Sequence, residues 1–240
     1  MAGKGTRRWN REETIICLDL YFRIPFSKSR ASHPEVVKVA KLIDRSPAAV
    51  NLKVGQFGSL DPNLSKKGIT GLAHTSALDR KIWKEFKGKY EKLAIESELQ
   101  KHPKGIDVST EAKRRIGQAF FRDSVLASYD RKCCITSIEE EQLLIASHIK
   151  PWSKCEDEEK TNPQNGLCLN ALHDKAFDRG LITVNPDYKI KISKILRKSP
   201  NQAIRDFFVK YDGNQIDLPE RLPPDKDFLD WHENNVFISG

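Results

Sequence analysis

Long apolar runs are missing from this sequence. Nowhere do hydrophobic residues approach the ~20 in succession that a bilayer-spanning helix needs, so no membrane association is expected. The first residues, Met1-Ala2-Gly3-Lys4-Gly5, carry charge without a following apolar stretch and do not read as a secretory signal. Cysteine is scarce: Cys17, Cys133, Cys134, Cys155 and Cys168 are an odd number, two of them adjacent, which makes a poor disulfide framework. No Cys-x-x-Cys pair occurs, which argues against a structural zinc site. Reduced thiols in a cytoplasmic protein are the expectation. Internal repeats and low-complexity tracts are absent as well.

What is present is enough apolar sequence to fold and an uneven charge. Hydrophobic residues make up 38% of the 240 positions and charged residues 31%, the balance of a packed, ordered chain. The net charge is +8, and residues 1–100 hold all of it, with 19 Lys and Arg against 11 Asp and Glu. A basic field of that kind concentrates a polyanion such as nucleic acid, although a solvated basic face has the same composition.

The N-terminal segments read as helical. Asn10 with Glu13 three places on fits a capping box, followed by Ile15, Ile16, Leu18 and Leu20 before Pro25 stops the run. A second helix is expected from Pro34, and Ser46-Pro47 is a start signal for a third, in which Val50, Val54 and Phe57 share a face. This pair of short helices has the form of a helix-turn-helix, with Asn51, Lys53 and Gln56 expected to point away from the buried face and toward DNA. Any small helical domain contains such a pair, so the charge is what raises the DNA reading.

Another amphipathic stretch, lysine-rich on its other face, runs from about Ala77 to Glu98. Lys101-His102-Pro103-Lys104-Gly105 reads as a linker, and Thr110 as the cap of a further helix through Tyr129. Strand-like runs follow at 134–136, 143–149, 181–184 and 188–192. The end of the chain, with Phe228, Leu229, Trp231 and Phe237, is expected to pack back onto the body.

Chemistry-bearing residues are densest in 143–180. Leu143 to Ile149 reads as a strand carrying His148, Asn165-Gly166 as a turn, and the residues after Asn170 as a short helix bearing His173, Asp174 and Asp178. A strand–loop–strand–helix unit of this size brings His148, Asn165 and the 173–174 pair together. Those residue types suit a divalent cation beside a base.

The order His148, Asn165, then His173-Asp174 resembles the HNH motif of ββα-metal nucleases. The words Ala-Ser-His-Ile-x-Pro-Trp, Asn-Gly-Leu-x-Leu and Leu-His-Asp-x-Ala-Phe-Asp-x-Gly are similar to the branch found in restriction enzymes, as is Gln118-Ala119-Phe120-Phe121-Arg122 upstream. The resemblance is strong over about residues 111–185. More loosely, Trp9, the Tyr21–Phe26 run, Arg45-Ser46-Pro47 and Ser59-Leu60-Asp61-Pro62 resemble domains that precede such nucleases in McrA-like, modification-dependent restriction enzymes.

The resemblance implies roles. His148 would be the general base, since a neutral imidazole can take a proton from water, and Asn165 would brace the loop that aims it. Asp174 or His173 would bind the metal, with Mg²⁺ or Mn²⁺ expected. Ser147 stands where many relatives have an acidic or histidine ligand, which leaves Asp178 as a substitute ligand or a metal held mostly by water and phosphate; Asp178 also reads as a helix-end residue that caps or pairs with Arg179. Arg114, Arg115 and Arg122 suit DNA phosphates or plain solubility. Trp152 reads as packing and Cys134 as a core thiol.

The expected architecture is α+β, with a helical basic DNA-binding domain at 1–104 and a ββα-metal nuclease domain at 105–240. The expected activity is metal-dependent cleavage of double-stranded DNA in a restriction or defence role, with recognition of modified DNA as a further expectation. One site per chain would favour a homodimer for cutting both strands. The alternatives are a DNA-binding regulator on an inactive HNH scaffold and a mobile-element nuclease.

Overall fold

A computed structural model describes residues 7–69, 72, 74–102 and 109–240. Contacts divide the chain into two units, Met1–Phe120 and Phe121–Gly240. Of the linker expected at 101–105, Lys101 closes a helix and the positions from Pro103 on lie outside the described residues, as do Met1 to Gly5.

The described part of the first unit is helical: α1 (Arg11–Arg23), α2 (Pro34–Leu42), α3 (Pro47–Gly58), α4 (Pro62–Lys66), α5 (Ala77–Phe86), α6 (Tyr90–Lys101) and the first half of α7 (Thr110–Ser128). Local chemistry explains where they start. Asn10 accepts from the Glu13 N–H at 2.8 Å while Glu13 reaches back to the Asn10 N–H, and Ser46 caps α3 ahead of Pro47. The stretch expected as one helix from Ala77 to Glu98 is two, because Gly88 takes a left-handed turn (φ 76°) between α5 and α6. The cap of α7 is Ser109, whose hydroxyl accepts from the Ala112 N–H, and Thr110 is the first helical residue.

Tyr21 and Phe22 of α1 anchor an aromatic core with Phe57, Trp83 and Tyr90. The buried Tyr21 hydroxyl donates to Asp61 at 2.7 Å. Two carboxylates, Glu13 and Asp79, are buried with cations on them. Glu13 takes Arg45 and Arg7, and Lys53 meets Asp79 at 2.7 Å, with the Arg45 and Lys53 cations both over the Trp9 ring.

The second unit contains the rest of α7, β1 (Leu144–His148), α8 (Asp157–Lys160), β2 (Gly166–Asn170), α9 (Ala171–Asp178), β3 (Ile182–Val184), β4 (Ile190–Ile192), α10 (Lys194–Arg197), α11 (Gln202–Phe207) and α12 (Lys226–Asn235). β1 and β2 form one antiparallel pair and β3 and β4 another. Residues 134–136, expected to be a strand, form a turn in which the Cys134 N–H donates to the Cys168 carbonyl and Ser137 follows in a left-handed conformation. The core gathers Val125, Leu126, Leu144, Leu167, Leu169, Phe177, Ile182 and Leu229. The end of the chain packs on it through α12, where His232 stacks on Phe177 at 3.7 Å. Gly180 (φ 67°) closes α9 against this segment, since a Cβ there would lie 2.1 Å from the Val236 carbonyl oxygen. All five cysteines are free thiols, and only Cys155 is not buried.

Candidate active site

Strand register sets the site. His148 pairs with Gly166 at one end of the β1–β2 hairpin, and Leu144 pairs with Asn170 at the other. Side chains alternate across the pleat, so Leu144, Ala146 and His148 share a face with Gly166, Cys168 and Asn170. At the His148 end α7 covers that face. The Phe121 ring lies flat on the imidazole, centroids 3.8 Å apart and planes 12° off parallel, and Trp152 meets it edge-on at 5.6 Å. Gly166 permits this approach, because a Cβ would fall 2.4 Å from a Val125 methyl.

The imidazole is half-buried, and its Nε2 lies 3.0 Å from the Lys160 carbonyl oxygen. A carbonyl only accepts, so the proton belongs on Nε2 and the lone pair is left on Nδ1. Burial pushes the pKa of His148 below its ordinary value, while the Lys160 carbonyl works the other way. The ring is therefore neutral near pH 7, with a basic nitrogen available.

Asn165 is fully buried and uses its whole amide. Its Oδ1 accepts from the Lys150 N–H at 2.8 Å, and its Nδ2 donates to the Lys150 carbonyl and the Cys155 sulfur, each at 3.2 Å. The Asn165 carbonyl accepts from the Ile149 N–H at 2.9 Å. It thus ties the end of β1 to the start of β2.

The helix α9 packs on both strands. Asn170 caps it, accepting from the Leu172 and His173 N–H groups. Asp174 and Asp178 follow one turn apart on one side of α9, and among the described residues neither carboxylate takes part in a hydrogen bond or ion pair. Burial and the neighbouring Asp174 charge push the pKa of Asp178 up, and a cation would relieve that repulsion. Two hard oxygen donors completed by water and phosphate suit Mg²⁺. Asp178 is not paired with Arg179.

His173 precedes Asp174 on the same helix. It is 2% exposed, its Nδ1 lies 2.9 Å from the Asn170 amide nitrogen, and Phe208 and Tyr211 flank its ring. It forms part of the wall of a pocket of about 480 Å³ with Leu143, Leu172, Phe207 and Lys210. Its Nδ1 is held by Asn170, while its Nε2 is buried with no hydrogen-bond partner among the described residues. Ser147 is buried with no partner for its hydroxyl. Among the described residues no group of three or more His, Cys, Asp or Glu side chains is gathered for a metal ion.

The arginines on α7 are exposed. Arg122 donates to the Leu144 carbonyl at 3.1 Å, Arg115 pairs with Glu111, and Arg114 is solvated. On α3, Asn51 accepts from the Ser29 hydroxyl and Gln56 donates to the His74 carbonyl. Lys53 does not point away from the buried face as expected. It is 2% exposed and neutralised by Asp79, beyond the reach of a phosphate.

Sequence reasoning did not find the Phe121 platform or the Lys160 carbonyl. The first had a signal in the Phe121-Arg122 words upstream. The second is a backbone atom, which side-chain patterns do not mark.

No curated protein matches the chain. Residues 133–185, the segment that holds β1, β2 and α9 with His148 and His173, match the family model of HNH endonucleases (HNH_2), and this part of the chain is similar to that nuclease domain.

Proposed function

We propose that the protein is a metal-dependent DNA endonuclease. The observation that carries this reading is the His148 imidazole, neutral, fixed by the Lys160 carbonyl with Nδ1 free, in a segment similar to HNH endonucleases. Nδ1 of His148 takes the proton of a water as its oxygen attacks phosphorus. The bond to the 3′-oxygen breaks, and that oxygen is protonated by solvent, leaving 5′-phosphate and 3′-hydroxyl ends. Asp174, with His173 or Asp178 beside it, would hold the Mg²⁺ or Mn²⁺ ion. When bound, such an ion neutralises charge on the phosphate and on the leaving oxygen. Asn165 holds the loop that aims the ring.

The first unit would supply affinity for DNA through its excess of lysine and arginine, and cutting both strands would take two chains. The resemblance of residues 111–185 to the restriction-enzyme branch, with the looser one of the N-terminal words to McrA-like enzymes, supports a restriction or defence role. Digestion of matched unmodified, methylated and hydroxymethylated DNA tests the modification-dependent part, and equal cutting of all three removes it.

A second reading, a DNA-binding regulator on an inactive scaffold, is favoured by one observation, the buried serine at position 147 in place of a ligand. Plasmid cleavage with Mg²⁺ or Mn²⁺ separates the two. For the nuclease, His148→Ala lowers the rate at least about 100-fold, the range of a lost general base. A wild-type protein that binds the plasmid and never nicks it under either metal is the regulator.

A further inference from the structure

We propose that Lys150 and Glu159 are positioning residues for the candidate base: their ion pair holds the Lys160 carbonyl on Nε2 of His148, and with it the aim of the ring. The inference deepens the nuclease reading of the same site and rests on it for the effect on rate, though not for the effect on the ring.

The acceptor for His148 is borne by a weak element. Lys160 is the last residue of α8, four residues long, and so short a helix has no stability of its own. Something else must keep its carbonyl in place. Glu159 does this with one oxygen, Oε2, which receives the Lys150 ammonium at 2.6 Å and the Glu156 N–H at 2.7 Å. The carboxylate thereby fastens the start of α8 and ties it to a residue two places after His148. Lys150 is itself pinned by its backbone, with its N–H on Asn165 Oδ1 and its carbonyl accepting from Asn165 Nδ2 and from the Cys155 thiol at 3.1 Å. The Asn165 amide also lies 3.4 Å from the Glu159 carbonyl. The contacts form a closed circuit from His148 through Lys150 and Glu159 to Lys160 and back to the ring.

The pair is shielded, with side chains 16% and 26% exposed. Lys150 has its pKa raised by the hydrogen bond to Glu159. Burial would raise that of Glu159, but Lys150 and the Glu156 N–H outweigh it and hold the carboxylate below its usual range. Both groups stay ionised across neutral pH. The other α8 ion pair, Lys160 with Asp157 at 2.8 Å, has its carboxylate almost fully in solvent and lies outside the circuit.

The test uses the full chain and two readouts. For Glu159→Gln and for Lys150→Met, kcat on plasmid DNA with Mg²⁺ should fall about 10- to 100-fold, while KM changes less than about twofold, as a misaimed group predicts. In protein labelled with ¹⁵N-histidine, the Nε2–H proton of His148 should be slow to exchange in the wild type and lost to exchange in both variants. Lys150→Arg, which keeps the cation on Glu159, should recover both signals. Unchanged kcat with the proton signal retained in both variants overturns the inference and leaves the nuclease reading intact. Loss of the proton signal in the two variants, when the wild-type protein itself keeps the signal and never cuts DNA, supports the clamp and removes the nuclease. Should Lys150→Met fail to fold, Glu159→Gln decides alone, since its amide oxygen still accepts from the Glu156 N–H.

Discussion

Lys53 shows how far a side chain can depart from the face its position suggests. On a helix whose Val50, Val54 and Phe57 form the buried stripe, it falls beside that stripe, and its ammonium reaches Asp79, 26 residues later in the chain. A buried carboxylate stripped of its cation is costly, about 3–5 kcal/mol. Lys53→Met is therefore expected to lower the midpoint of urea unfolding and to leave the salt dependence of DNA binding as it was. A change in salt slope without a change in stability would return Lys53 to the DNA-contacting surface. Asn165 is the opposite case, since its amide is spent on the loop that follows His148, in keeping with the bracing role that the HNH resemblance implies. The residues around His148 were only half legible. The imidazole stands in a distinctive run of words, but its stacking partner and its acceptor come from α7 and α8, brought near by tertiary packing that local spacing does not encode.

Among the elements, those with caps were readable because a cap is a local signal. Asn10, Ser46, Pro34 and Pro47 mark helix starts within three residues, whatever the rest of the chain does. The break between α5 and α6 was not readable, because apolar spacing continues through Gly88 and only its left-handed backbone divides the helices. The division leaves α5 with a lysine face. Lys81, Lys84 and Lys87 are exposed, while the nearby Glu85 and Glu96 are occupied by Arg11. With Lys53 buried, this face is the better candidate for phosphate contacts in the first unit. Replacing all three lysines by glutamine should weaken DNA binding across sequences and make the plot of log K against log salt shallower by about 2–3 units, at roughly 0.9 per phosphate. An unchanged slope, measured by fluorescence anisotropy, would place the contact surface elsewhere.

For the whole molecule, acid should be the weak side. The His232 ring, stacked on Phe177 with Thr183 at its Nδ1, has its pKa lowered by burial to about 4. Burial lowers those of His148 and His173 as well. The unfolded chain, titrating near the ordinary histidine value of about 6.5, then binds more protons than the folded one between the two pKa values. Stability is complete above that unfolded value and declines as pH falls toward 4, by up to about 3 kcal/mol for His232. Urea unfolding at pH 7 and pH 5 measures it, and His232→Gln should remove the largest share of the difference. If the mutant loses as much stability on acidification as the wild type, the stacked ring is not the group that titrates.

The thiol inventory gives the molecule one further property. Four sulfurs are sealed in the interior and the fifth, Cys155, is within reach of solvent while accepting a hydrogen bond from Asn165. A maleimide dye should consequently attach once per folded chain, at the loop that follows the candidate base. That single label would act as a resident reporter, its emission changing as DNA arrives, with no cysteine to add or remove.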